Sequence, residues 1–134
     1  MNAQAYYHRG TEIIAACPLV ISLDIAFREI DENECYIKGV LHLTGGHTSH
    51  LAEYVITEPK PPTRLKYRYQ LQRADQLRVV HWDNAPHHRD MKTSPHHWHD
   101  ADNMAYPSPA MDLESVLAQA LAIVGEEPTR ESST

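Results

Sequence analysis

The chain has 134 residues, 42% hydrophobic and 22% charged, with a net charge of −6 and two cysteines. These totals suit one domain over residues 1–134. They exclude a disulfide-stapled scaffold, a protein that coats nucleic acid with uniform basic charge, and a helical membrane protein, since no apolar run approaches the roughly 20 residues needed to cross a bilayer.

The first helix is expected from Thr11, as its cap, to Cys17, where Pro18 stops it. Residues from Asn2 add a turn only if Gly10 is tolerated inside the helix. Leu19 to Ile30 alternates, with Leu19, Ile21, Leu23, Ile25 and Phe27 on one side, so it reads as a half-buried strand. After the turn at 31–34, Tyr36 to Thr44 is a second strand with Ile37, Leu41 and Leu43 on one face. Gly45-Gly46 closes a hairpin onto a third strand, Ser49 to Glu58. The prolines at 59, 61 and 62 break the ladder. Arg64 to Arg73 alternates Leu65, Tyr67, Tyr69 and Leu71 against Arg64, Lys66, Arg68 and Gln70. Leu77 to Asp83 is a fifth strand, and such short connections make neighbouring strands antiparallel.

Residues 84–110 show no period and read as a long His/Pro-rich loop. It holds four prolines, five histidines, Trp98 and Tyr106. A structureless segment of this length inside a domain is usually functional, and its aromatic content speaks against disorder. Asp112 caps a last helix whose apolar face carries Leu113, Val116, Leu117, Ala120, Leu121 and Val124. Gly125 ends it, and residues 126–134 read as a flexible tail. The expected fold is α+β: one antiparallel sheet of about five strands, with N- and C-terminal helices on one face.

Charge is unevenly spread. Lys60 to Lys92 holds eight basic and three acidic side chains, whereas the remainder holds four basic and fifteen acidic ones. A molecule polarised in this way can hold an anion on one face and a basic partner on another. Cys17 and Cys35 read as buried thiols.

Six of the ten histidines fall between His81 and His99. Histidine titrates near neutrality, moves protons and ligates borderline metals. One reading is acid–base cleavage of RNA, with His87, His88, His96, His97 and His99 as acid and base and Asp83 orienting one of them. Arg64, Lys66, Arg68 and Arg89 then hold phosphate, and Trp82 stacks a base; Tyr67 and Tyr69 offer the same ring faces but read first as core. A second reading is a divalent-metal site in which His97 and His99, or His87 with His96, join Asp83 or Asp100, with His87, His97 and His99 as the alternative histidine set. The spacing matches no standard metal signature. A third is a loop locked by imidazole–carbonyl hydrogen bonds, and a fourth is exposed histidines without a role.

His81-Trp82-Asp83-Asn84-Ala85-Pro86-His87-His88, followed by Pro95-His96-His97-Trp98-His99, resembles the TumE-type toxins of bacterial toxin–antitoxin pairs. Those proteins typically carry an aromatic-Asp-Asn-Ala-Pro-His-His segment and then Pro-His-His-x-His. The likeness extends to Glu53-Tyr54-Val55, Lys66-Tyr67-Arg68-Tyr69 and Tyr106-Pro107-Ser108-Pro109, and covers residues 13–124. Arg89 stands where the pattern has a second proline, and Trp98 where lysine is more familiar. The resemblance implies a toxin with a helix-turn-helix antitoxin as partner. Toxin habit together with the histidines points to an endoribonuclease-like growth inhibitor acting on RNA. The competing class is a non-catalytic metal- or ligand-binding module. No cofactor is required by the acid–base reading, although a divalent metal fits the same residues. The expected compartment is the cytoplasm, because Met1–Gly10 lacks a signal-peptide pattern, and a homodimer is compatible with this reading.

Overall fold

Asn2, not Thr11, starts the first helix. Its side chain accepts the Ala5 N–H at 2.8 Å, and α1 runs Ala3–Ala15. Thr11 lies inside that helix and donates back to the His8 carbonyl at 2.7 Å. Gly10 is accommodated where α1 meets the last helix: a Cβ there would sit 3.9 Å from Leu113 Cδ2. The computed structural model describes residues 1–75, 77–86 and 93–125. The expected tail at 126–134 lies outside the described residues, as do His87, His88 and Arg89.

Seven strands follow α1, in the order β1 (Val20–Asp31), β2 (Glu34–Leu43), β3 (Thr48–Ile56), β4 (Thr63–Gln72), β5 (Arg78–Asp83), β6 (His97–His99) and β7 (Ala105–Pro107). Each pairs antiparallel with the next, so sequence order is also sheet order and β1 lies at one edge. The expected count of about five is thus corrected to seven. The segment read as one irregular loop supplies β6 and β7, whose three residues each are too short to display a period. The α+β class, the antiparallel sheet and the terminal helices stand. Gly45 and Gly46 close the β2–β3 connection with φ of 77° and 82°, a conformation that glycine adopts without strain.

The core lies on one face of the sheet. Register places Leu51, Tyr69, Trp82 and Trp98 side by side across β3 to β6. Tyr69, Leu41, Leu71 and Val55 are fully buried. The last helix, α2 (Leu113–Gly125), buries Val116, Leu117 and Ala120. Asp112 caps it as expected, accepting the Ser115 N–H at 2.8 Å. No described helix is long and apolar enough to cross a membrane.

Two of the register shifts in the sheet override the sequence alternation. Register jumps from Val20 to Ser22, so Ile21 is the extra residue and stands 68% exposed. On β4, Tyr54 pairs with Lys66 but Val55 with Arg64, which leaves Leu65 as the extra residue, 53% exposed. The second bulge turns Arg64 onto the helix-covered face.

Beneath α1 that face carries a buried polar network. Glu53 is 3% exposed; it accepts from Tyr69 Oη at 2.6 Å through Oε2 and from Tyr6 Oη through Oε1. Burial and the Glu53 charge raise both tyrosine pKa values far above normal, so both stay protonated donors. The Arg64 charge opposes this and so lies close by. Cys35 is buried on the same face, and desolvation, followed by the charges of Glu53 and Glu29, pushes its thiol up to about 11. That excludes an activated thiolate at neutral pH.

Candidate active site

The opposite face gathers the chemistry. Side chains alternate along a strand, so His81 and Asp83 on β5 and His97 and His99 on β6 all point away from the core residues between them. Register sets His81 opposite His99 and Asp83 opposite His97. Two i,i+2 pairs on adjacent strands therefore make one cluster. Asp83 Oδ2 lies 2.6 Å from His81 Nε2 and Oδ1 lies 2.8 Å from His97 Nε2. The His97 and His99 rings meet edge to face with centroids 4.8 Å apart, and those of His81 and His99 are 5.3 Å apart. His97 is 2% exposed and His81 7%, whereas Asp83 and His99 are half-buried.

Backbone contacts orient the cluster. His97 Nδ1 donates to the Pro95 carbonyl at 2.9 Å, and His99 Nδ1 reaches the Asn103 carbonyl at 3.5 Å. Asp83 Oδ1 also accepts the Ala85 N–H at 3.0 Å. Burial pushes the Asp83 carboxyl upward. The hydrogen bond from His81, that from Ala85 and the charges of His81 and His97 outweigh it and hold the group below the ordinary carboxylate value. For His99, burial first and then the neighbouring His81 and His97 charges lower the pKa, against opposition from Asn103 and Asp83. The balance favours the neutral form of the His99 imidazole.

The cluster continues into a cationic strip. Arg68 on β4 pairs directly with Asp83, and Gln70 with His81. Ala52 lies between Arg68 and Lys38 in the same cross-strand row. A groove of about 460 Å³ runs over this part of the sheet, lined by Tyr36, Lys38, His50, Tyr54, Lys66, Arg68 and Gln70 among others. Tyr54 Oη donates to Glu34 at 2.9 Å, and Tyr36 stands opposite Tyr54 and is 38% exposed.

The candidate residues read from the sequence divide accordingly. Asp83, His97 and His99 come together, and Lys66 and Arg68 share their face. His96 does not join them. One residue before His97, it turns to the other side, where its Nδ1 meets Tyr67 Oη at 2.8 Å and its ring stacks on Tyr67. Arg64 is likewise separated: the bulge turns it inward, and its Nε donates to the Met111 carbonyl at 3.2 Å. Trp82 is 5% exposed within the core, which leaves no ring face for a base, and Tyr67 and Tyr69 are core residues at 3% and 0%. Asp100 organises the β6–β7 turn, accepting the Asp102 and Met104 N–H groups and the Tyr106 hydroxyl. His87, His88 and Arg89 lie outside the described residues.

Sequence reasoning passed over His81 as a working residue and Lys38, Tyr36 and Tyr54 as groove walls. The signal was present in the matched spacing His81-x-Asp83 and His97-x-His99, and in the polar side of the β2–β4 alternation. A carboxylate touching two imidazoles, with a third beside them and Arg68 across the ladder, can move protons, hold a cation or bind a phosphate.

The family model described as Toxin TumE matches residues 11–128. No curated protein and no solved structure gives a significant match.

Proposed function

Because the chain belongs to the TumE family of toxins, we propose that it arrests growth by cleaving RNA on the open face of its sheet until an antitoxin neutralises it. Family membership implies an antitoxin partner; its helix-turn-helix class and the RNA substrate are parts of this proposal. The observation that carries the reading is the cross-strand pairing of Arg68 with Asp83, while Asp83 holds His81 and His97. Phosphodiester cleavage needs a base, an acid and cations around the phosphorane, and this strip offers all three within neighbouring strands about 5 Å apart.

In that reaction the 2′-hydroxyl loses its proton at the cluster and its oxygen bonds to phosphorus. The bond from phosphorus to the 5′-oxygen breaks, and that oxygen takes a proton from the cluster. The products are a 2′,3′-cyclic phosphate and a 5′-hydroxyl. Arg68 and Lys66 hold the phosphate oxygens, and the exposed Tyr36 ring is a stacking surface for a flanking base. The edge strand β1 exposes Asp24, Glu29 and Asp31 beside Ile21 and Ile30, a rim suited to a basic, partly apolar antitoxin segment.

Induced expression tests the reading. Wild-type chain should arrest growth and shorten cellular RNA, whereas Asp83→Asn and His99→Ala should do neither. Arrest at the wild-type level by both variants, each shown to be folded, would remove the cluster from the mechanism.

A further inference from the structure

We propose that Asp83, His97 and His99 hold one first-row divalent cation such as zinc, with a coordination position left open. One ligand atom from each of these three residues lies within 4.8 Å of the other two. Tetrahedral ligands about 2.0–2.2 Å from a shared ion lie roughly 3.3–3.6 Å from each other, so side-chain shifts on the order of an ångström close the site. Two imidazoles and one carboxylate form a set that takes borderline metals and leaves positions for water or substrate.

The orientation of His97 carries the argument further. A carbonyl can only accept, so the 2.9 Å contact with Pro95 requires a proton on Nδ1. A ring carrying only that proton presents the Nε2 lone pair to Asp83 Oδ1 at 2.8 Å, lone pair against lone pair. A cation shared by the two atoms resolves that conflict; so does a second proton on the ring. Ligating histidines characteristically donate their other N–H to a backbone carbonyl in this way, which fixes the tautomer. His99 has the same arrangement in weaker form, with Nδ1 at 3.5 Å from the Asn103 carbonyl.

His81 has a different place. It stands on the other carboxylate oxygen at 2.6 Å, while the Arg78 guanidinium, which can only donate, reaches its Nδ1 at 3.5 Å. His81 therefore carries its proton on Nε2 and steadies Asp83 as a positioning residue. Magnesium is a poor occupant, because it favours all-oxygen shells and releases water reluctantly.

The binding site stands on geometry alone. Its use as a cofactor site for phosphate chemistry rests on the function proposed above, with Arg68 across the ladder from the ion. The test uses full-length chain without a histidine tag, stripped with EDTA and titrated with zinc chloride. One zinc per chain should survive dialysis, magnesium should not displace it, and His97→Ala, His99→Ala and Asp83→Asn should each weaken binding at least tenfold. His8→Ala, on exposed α1, should change nothing. Thermal melts identify any variant that fails to fold, and the half-buried His99 is the substitution least exposed to that outcome. Absence of stoichiometric zinc binding by folded wild-type chain overturns the site, as does undiminished binding in folded His99→Ala and Asp83→Asn; the second ring proton then explains His97. RNA cutting by the stripped chain at the full rate overturns the cofactor role and leaves the proposed function. Zinc binding without RNA cutting or growth arrest overturns the function and leaves the site.

Discussion

Glu53→Gln isolates the network that holds α1 against the sheet behind the active face. Glu53 is 3% exposed and accepts two tyrosine hydroxyls, Tyr69 from β4 at 2.6 Å and Tyr6 from α1. Hydrogen bonds to a charged group contribute about 1.5–3 kcal/mol each. Glutamine keeps one carbonyl acceptor, replaces the other oxygen with an amide donor, and removes the charge that strengthens both contacts and faces Arg64. The expected loss is roughly 2 kcal/mol. For a chain of this size that corresponds to a fall in Tm of about 6–12 °C, read by differential scanning calorimetry or circular dichroism. Tyr69→Phe alone should cost about 1.5 kcal/mol, and the double variant should cost clearly less than the two single losses combined. A Glu53→Gln melt within about 1 °C of wild type, or strictly additive losses, would show that these contacts do not fasten the helix.

Other substitutions probe the remaining supports. In Gly39→Ala the new Cβ would lie 2.6 Å from the Asp24 backbone oxygen and 2.7 Å from Ile25 Cγ1; the expected cost is about 1–3 kcal/mol, seen as a lower denaturant midpoint. Tyr67→Phe removes both the partner of His96 and the acceptor of the Met111 N–H, with an expected loss of about 1–2 kcal/mol and an unchanged zinc stoichiometry. Asp112→Ala removes the α2 cap and should lower stability by about 1 kcal/mol in the same melts. For pH, burial and then the charges of Arg64 and His97 depress the His96 pKa. The unfolded chain thus binds this proton more readily, and the stability is complete above about pH 6.5 and lost as pH falls through the folded value. Metal-stripped wild type should show a Tm that drops on acidification below pH 6.5, and His96→Ala should flatten part of that drop.

Regular periodicity made most of the sheet legible. β1 to β5 and α2 announce themselves through alternation, glycine and proline punctuation, and the Asp112 cap. What escaped did so for local reasons. His97–His99 and Ala105–Pro107 are three-residue strands, and their pairing is decided by neighbours far along the chain. The clean alternation of Arg64 to Leu71 conceals a bulge at Leu65, so Arg64 changes face although its neighbours in sequence do not. The same alternation splits the Pro-His-His motif, sending His96 to Tyr67 and His97 to Asp83. Histidine density marked the region, but strand pairing selected the members of the cluster.

Cleavage of a defined RNA by purified chain bears most directly on the claim that the Arg68 strip and the Asp83–His97–His99 cluster work together. An end-labelled single-stranded oligoribonucleotide should be cut by wild-type chain to leave 2′,3′-cyclic phosphate ends. Folded Asp83→Asn and Arg68→Ala should each cut it at least 100-fold more slowly, as expected when the carboxylate at the centre of the cluster or a charge on the phosphate is removed. Intact RNA after incubation with active, growth-arresting wild-type chain, or equal rates in all three proteins, would contradict the account.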